Sequence, residues 1–193
     1  MFAVYITHPQ VAIDPAVPVP DWGLSERGVE RARLAASSGW AAQIGRFAAS
    51  TERKAIETAE ILSAGRVAIE TDHAMGENDR SATGYLPPDA FEDAANWFFA
   101  HPEESFKGWE RAVDAQARIV AAVERALAGH DPSVPIAFIG HGGIGTLLKC
   151  HLQGRPIARD RDQPAGGGNL FAFRLADRTD TCDWTAMESW KGF

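Results

Sequence analysis

The sequence predicts a three-layer α/β/α sandwich, with a mostly parallel central sheet and a small helical cap insertion. Three observations carry that expectation. Short apolar runs alternate with stretches of helical period along most of the chain. The runs at residues 2–6 and 136–139 are apolar throughout, as strands covered on both faces must be. Near the end, two alternating segments at 170–175 and 184–190, joined by 177–180, read as a hairpin. With 193 residues, 45% of them hydrophobic, the chain can bury one substantial core, so 1–193 is read as a single domain with 84–108 as its cap.

The first strand runs into Pro9, Pro15, Pro18 and Pro20, a stretch that must loop over the strand's end. Ser25 is placed to cap a helix whose Val29, Ala32 and Ala36 share a face before Gly39 ends it. A short strand at 47–49 follows. Thr51 is then expected to cap a second helix, with Ala55, Ala59 and Leu62 at helical spacing up to Gly65. Residues 67–71 read as a strand, and 72–88 as a polar loop rich in turn formers. Two helices come next. One carries Phe91, Ala94, Ala95 and Phe98, and a longer one carries Trp109, Val113, Val120, Val123 and Leu127. A strand through Ile139, a helix from about Gly143 to Leu152, and the loop Gly166-Gly167-Gly168 complete the series before the hairpin.

A net charge of -7 argues against nucleic acid or an anionic membrane surface as the main partner, since both reward clustered Lys and Arg. An anionic ligand would need a local basic pocket. No signal peptide or membrane span is read at the N-terminus, so a cytoplasmic location is the expectation. Cys150 and Cys182 lack CxxC spacing and are expected to be reduced thiols, with neither a zinc site nor any other cofactor.

Two histidines stand where apolar runs end: His8 after residues 2–6, and His141 after 136–139, followed by Gly142-Gly143. Open α/β sheets gather ligands beyond the carboxyl ends of their strands, so the two imidazoles are expected to converge. Gly140-His141-Gly142-Gly143-Ile144-Gly145 also satisfies the GxGxxG nucleotide fingerprint. That fingerprint needs a second strand ending in an acidic residue. The segment from Arg155 to Asp162 is mostly charged, which speaks against it. His73, His101, His130 and His151 lack ligand spacing and read as surface or packing residues.

Several segments in order resemble motifs of the histidine phosphatase superfamily, the phosphoglycerate mutase-like family. They are Thr7-His8-Pro9, Asp21 to Gly28, Ser50-Thr51-Glu52-Arg53-Lys54-Ala55, Glu77, Glu103-Glu104-Ser105 and Gly140-His141-Gly142. The resemblance implies a metal-independent phosphomonoesterase. His8 would be the nucleophile that forms a phosphohistidine, Glu77 the proton donor and His141 a second phosphoryl ligand. The substrate would be a small phosphorylated molecule. Glu70, Asp72 and Asp79 lie close enough in sequence to Glu77 to compete for its role.

The chain departs from the family at three places. Thr7 stands where the family carries its first arginine, so a bidentate cation becomes one hydroxyl. Lys54 replaces the second arginine with a point charge. Pro9 replaces a glycine and removes an amide N–H. A family asparagine roughly matches Asp14, an anion. Arg80, near Glu77 in sequence, is the candidate compensating cation, so Thr7, Lys54 and Arg80 are the expected substrate-binding residues. A reading from another class stays open: a weakened family member that binds a phosphorylated ligand or a protein partner with little turnover.

Overall fold

The structure, a computed structural model, describes residues 1–192. Six strands form one sheet in the order β3-β2-β4-β1-β5-β6, where β1 is Phe2–Thr7, β2 Arg46–Ala49, β3 Ile69–Thr71, β4 Ile136–Gly140, β5 Asn169–Arg174 and β6 Asp180–Ala186. The first four are mutually parallel. β5 runs antiparallel to β1, and β6 pairs with β5 as a hairpin. The sheet is mostly parallel, as expected.

The unbroken apolar runs are explained by helices on both faces. Along β1 and β4, Val4, Ile6, Ala137 and Ile139 pack on the side of α1 (Glu26–Ser37) and α2 (Arg53–Ser63). Ala3, Tyr5, Ile136 and Phe138 face the opposite core, built with α3 (Pro88–Ala100), α4 (Ala112–Leu127) and α5 (Gly142–Leu152). Successive strand residues point to opposite faces, so a strand covered on both sides has no position left for a polar side chain.

Helix α1 starts where expected. Ser25 has extended torsions and its Oγ accepts from the Gly28 amide at 3.2 Å. Gly28 itself allows the turn after β1 to lie against the helix, because a Cβ there would stand 2.2 Å from the Gln10 carbonyl oxygen.

Four boundaries differ from the sequence reading. The cap of α2 is Glu52, not Thr51, because the Ser50 hydroxyl accepts the Glu52 amide and carries the chain one residue further before it coils. Trp109 precedes α4 instead of lying on it. Lys107 and Gly108 take positive φ there and break the path, and the stripe that α4 buries is Ala112, Ala115, Ile119, Ala122 and Val123. β3 begins at Ile69, not at residue 67. β6 starts at Asp180, four residues ahead of the alternation read at 184–190, since register shifts in its pairing with β5 disturb the period-two signal.

Candidate functional site

Backbone registry brings the two histidines together. β1 and β4 are adjacent and parallel, with Thr7 opposite Gly140, so the next residue of each strand leaves the sheet at the same edge. The His8 amide donates to the Gly140 carbonyl at 3.0 Å. The two rings lie 5.2 Å apart between centroids, edge to face.

His8 is half-buried, and its Nδ1 lies 2.9 Å from the Pro9 carbonyl oxygen. A carbonyl only accepts, so Nδ1 carries the proton and Nε2 keeps a free lone pair. Burial, assisted by the charges of Lys54 and Arg80, pushes the His8 pKa down to about 4 against the opposing Pro9 bond. The ring is therefore neutral near pH 7. Behind it, the glycine loop approaches closely. The Gly168 amide donates to the His8 carbonyl at 2.9 Å, and a Cβ on Gly167, whose φ is +64°, would stand 2.5 Å from that same oxygen. Arg31 of α1 holds the loop, donating to the Gly167 carbonyl at 2.9 Å and the Gly168 carbonyl at 3.1 Å while paired with Glu188.

His141 is fully buried. Its Nε2 lies 2.9 Å from Ser50 Oγ and 3.3 Å from Glu52 Oε1. Serine can donate or accept, but a carboxylate only accepts, so the proton belongs on Nε2. Nδ1 then carries the lone pair, and among the described residues it has no partner. Serine and carboxylate share one ring nitrogen, so these three residues are not a Ser-His-Glu relay, which needs them on opposite nitrogens. Burial lowers the His141 pKa well below its ordinary value, and Glu52 opposes that shift.

Of the four carboxylates near residue 77, Glu77 alone reaches the N-terminus of α5. Its Oε1 accepts from the Ile144 amide at 3.3 Å and from its neighbour Asn78 at 3.1 Å. Glu70 pairs instead with Arg46, Asp72 with Arg125, and Asp79 caps its own turn through Ser81. Burial raises the Glu77 pKa above the usual carboxylate range, with Arg80 opposing and Glu52 adding to the rise.

Lys54 and Arg53 divide as helix geometry requires. Arg53 is exposed and paired with Glu57, whereas Lys54 is buried, with its Nζ 2.5 Å from Glu52 Oε2 and 2.8 Å from the Val19 carbonyl. Arg80 stacks its guanidinium 4.9 Å from the centre of Phe91 and 5.8 Å from that of Trp109, and among the described residues it forms no ion pair. Its charge bears on His8, His141 and Glu77 alike. The Thr7 hydroxyl is committed inside the fold: it donates to Gln163 Oε1 at 2.7 Å and accepts from the Asn169 amide at 3.1 Å. Asp14 is exposed, its carboxylate accepting from the Ala16 amide.

The sequence reading missed Glu52, Gln163, Arg31 and Arg118. Arg118 of α4 pins the Glu77 loop, donating to the carbonyls of Ala74 at 2.8 Å, Gly76 at 3.0 Å and Glu77 at 3.3 Å while paired with Glu110. Arg118→Met is expected to cost about 2–4 kcal/mol, because it strands several carbonyls and a half-buried carboxylate. Hydrogen exchange at residues 74–78 should quicken more than global stability alone predicts. Exchange that rises evenly through the protein would count against the pinning role.

No group of three or more His, Cys, Asp or Glu among the described residues is arranged to hold a metal ion. Both cysteines are free thiols. No helix among the described residues is long and apolar enough to cross a membrane.

Fold and site together define an α/β sandwich with a two-histidine pocket at the carboxyl edge of its parallel strands. The chain belongs to the histidine phosphatase superfamily (branch 1), which it matches over residues 15–184. The matched stretch begins after His8, beyond the altered Thr7-His8-Pro9 segment. Among solved structures, Bacillus stearothermophilus YhfR is similar with a TM-score of 0.78 at 20% identity, covering 96% of this chain and 98% of that one. A mycobacterial glucosyl-3-phosphoglycerate phosphatase in complex with inorganic phosphate gives 0.77 at 21% identity, with 98% and 99% covered. Mycobacterial hydrolase 1 gives 0.74 at 21%, with 94% and 96% covered. No curated protein matches the sequence.

Proposed function

We propose that the protein hydrolyses a small phosphomonoester through a phosphohistidine on His8, without a metal ion. The observation that carries this reading is the pair of facing rings, with His8 Nδ1 tied to the Pro9 carbonyl and Nε2 left as a lone pair. In the first step, Nε2 forms a bond to phosphorus as the ester oxygen departs, and that oxygen takes the Glu77 proton. In the second, the Glu77 carboxylate takes a proton from water, the water oxygen bonds phosphorus, and the N–P bond breaks. Orthophosphate leaves and both side chains return to their starting states. Lys54 and Arg80 would steady the charge on the non-bridging oxygens, with the neutral His141 ring beside them as a second phosphoryl contact. The whole chain acts as one unit, with 84–108 as a cap. Phe91 of that cap and the adjoining Trp109 hold Arg80, and Arg159 ties α3 to the body through Glu92 and Asn96.

A chromogenic aryl phosphate assay on metal-chelated protein tests the reading, with His8→Ala as control. Wild type should turn over and accumulate an acid-labile phosphoenzyme, and His8→Ala should lose about a thousandfold or more, the scale seen when a nucleophile is removed. A second reading, ligand binding with little turnover, is favoured by the commitment of Thr7 to Gln163 and of Lys54 to Glu52. It prevails if wild type and His8→Ala are equally inactive while phosphate compounds raise the melting temperature of both.

A further inference from the structure

Glu52 puts a fixed negative charge among the groups that would receive a phosphoryl group. It is the cap residue of α2, yet its side chain makes no capping bond. Instead, Oε2 pairs with Lys54, and Oε1 lies 3.3 Å from His141 Nε2 and accepts from the Glu77 amide at 2.9 Å. One carboxylate thus engages the lysine, the second histidine and the backbone of the acid loop. Burial opposes its ionisation, but the ion pair with Lys54 and the bond from the Glu77 amide favour the carboxylate, whose pKa is drawn down to about 2.

The charged and titratable groups facing this carboxylate are Lys54 on its own helix, His141 after β4, His8 after β1, and Glu77 from the loop after β3; Arg80 of that loop acts on His8, His141 and Glu77, and Ser50 and Tyr5 add only hydroxyls. With both histidines neutral and Glu77 protonated, the fixed charges are those of Lys54 and Arg80 against Glu52. The pocket therefore offers one net positive charge, not two. Resting on the phosphatase reading, we propose that Glu52 is a specificity-determining residue that makes the pocket select singly charged phosphoryl groups, so that a phosphomonoester is bound as its monoanion. A dianion would leave an unbalanced charge in a partly buried site, which is costly. Phosphate esters take up their second proton near about pH 6, so the preferred species is abundant in mildly acidic solution.

Titration calorimetry with inorganic phosphate and with sulfate tests this, because phosphate changes between monoanion and dianion while sulfate stays a dianion. Wild-type protein should bind phosphate more tightly as the solution is acidified and bind sulfate weakly throughout. Glu52→Gln, which keeps shape and an acceptor for the Glu77 amide, should tighten sulfate about tenfold or more and flatten the phosphate pH dependence. Glu60→Gln, an exposed change on the same helix, should alter neither. The double variant Glu52→Gln/Lys54→Met removes one charge of each sign and should restore the preference for phosphate over sulfate. A purely structural role for Glu52 would leave that ratio unchanged in both variants. The inference is overturned if wild type binds sulfate as well as phosphate, if Glu52→Gln leaves sulfate affinity alone, or if neither ion binds. Because no arm measures turnover, a protein that shows the preference but hydrolyses no aryl phosphate would keep this inference and lose the phosphatase reading. One that hydrolyses without the preference would do the reverse.

Discussion

Glu77→Gln is expected to lower kcat on alkyl phosphates by a factor of about 10² to 10⁴, the usual contribution of a positioned proton donor. The amide preserves the acceptor that meets the Ile144 and Asn78 amides but has no proton of the required acidity to give. The loss should shrink on aryl phosphates with acidic phenols, because such leaving groups depart without a proton. Since the same residue activates water in the second step, phosphoenzyme should accumulate when those activated esters are used. The pH dependence of kcat follows from two shifts of opposite direction. His8 must be neutral to attack, so activity falls as pH drops through about 4. Glu77 must be protonated to donate, and burial raises its pKa, so activity falls again as pH rises through that elevated value. Glu77→Gln should abolish the upper limb and leave the lower one. Equal losses for alkyl and aryl esters, or an unchanged upper limb, would remove proton donation from Glu77.

What could be read in the sequence was what depends on local pattern. Residues 2–6 and 136–139 are uninterrupted apolar runs because helices cover both faces of β1 and β4, and each run stops at a histidine. The meeting of His8 and His141 then follows from strand adjacency alone. Glu52 was not legible for the opposite reason. An acid beside the start of a helix reads as an ordinary first-turn residue, and only the fold shows its carboxylate turned toward Lys54 and His141, the latter 89 positions away. Its one sequence signal is the spacing to Lys54, an acid two residues before a lysine that the amphipathic pattern buries. Gln163, which accepts from the Thr7 hydroxyl, lies in a loop without periodicity, and Asn169 meets that hydroxyl through its backbone amide at the start of β5, so nothing local marks either.

These placements bear on how the altered clamp should be understood. Where the family has arginine, Thr7 closes a hydrogen-bonded set with Gln163 and Asn169, and the Gln163 amide nitrogen lies 2.4 Å from the position a Cβ would take on Gly142. The Thr7 hydroxyl is thus partnered within the fold by Gln163 and by the Asn169 amide. In the proposed site, the charge that would have come from residue 7 falls to Arg80, stacked on Phe91 and Trp109. Glu52 then lowers the net positive charge further. The pocket keeps the two-histidine arrangement while carrying less charge than two arginines would supply.

Gly140→Ala should be the most damaging small change outside the reacting groups. Tyr5 is fully buried, stacked 5.5 Å from Phe171, and its hydroxyl grips the backbone of His141 on both sides, donating to the carbonyl and accepting from the amide at 3.1 Å each. A Cβ on residue 140 would stand 2.3 Å from that hydroxyl and 3.0 Å from Cζ. Gly145 closes the other side, where a Cβ would meet Tyr5 Cε1 at 2.5 Å, so the ring cannot retreat toward α5. Overpacking a rigid site costs about 1–3 kcal/mol, occasionally more, which for a chain of this size lowers Tm by roughly 2–12 °C. Tyr5→Phe fails differently: the His141 carbonyl keeps the Gly145 amide, but the His141 amide loses its partner, a cost of about 1–3 kcal/mol. In the double variant the clash with the hydroxyl is gone, so the two losses should be clearly less than additive, with a coupling of about 1 kcal/mol or more in a thermal or urea cycle. Additive losses would show that Gly140 is needed for a reason other than the Tyr5 hydroxyl. The His141 ring rides on this clamp, so both single variants should also lose affinity for inorganic phosphate at temperatures where they remain folded.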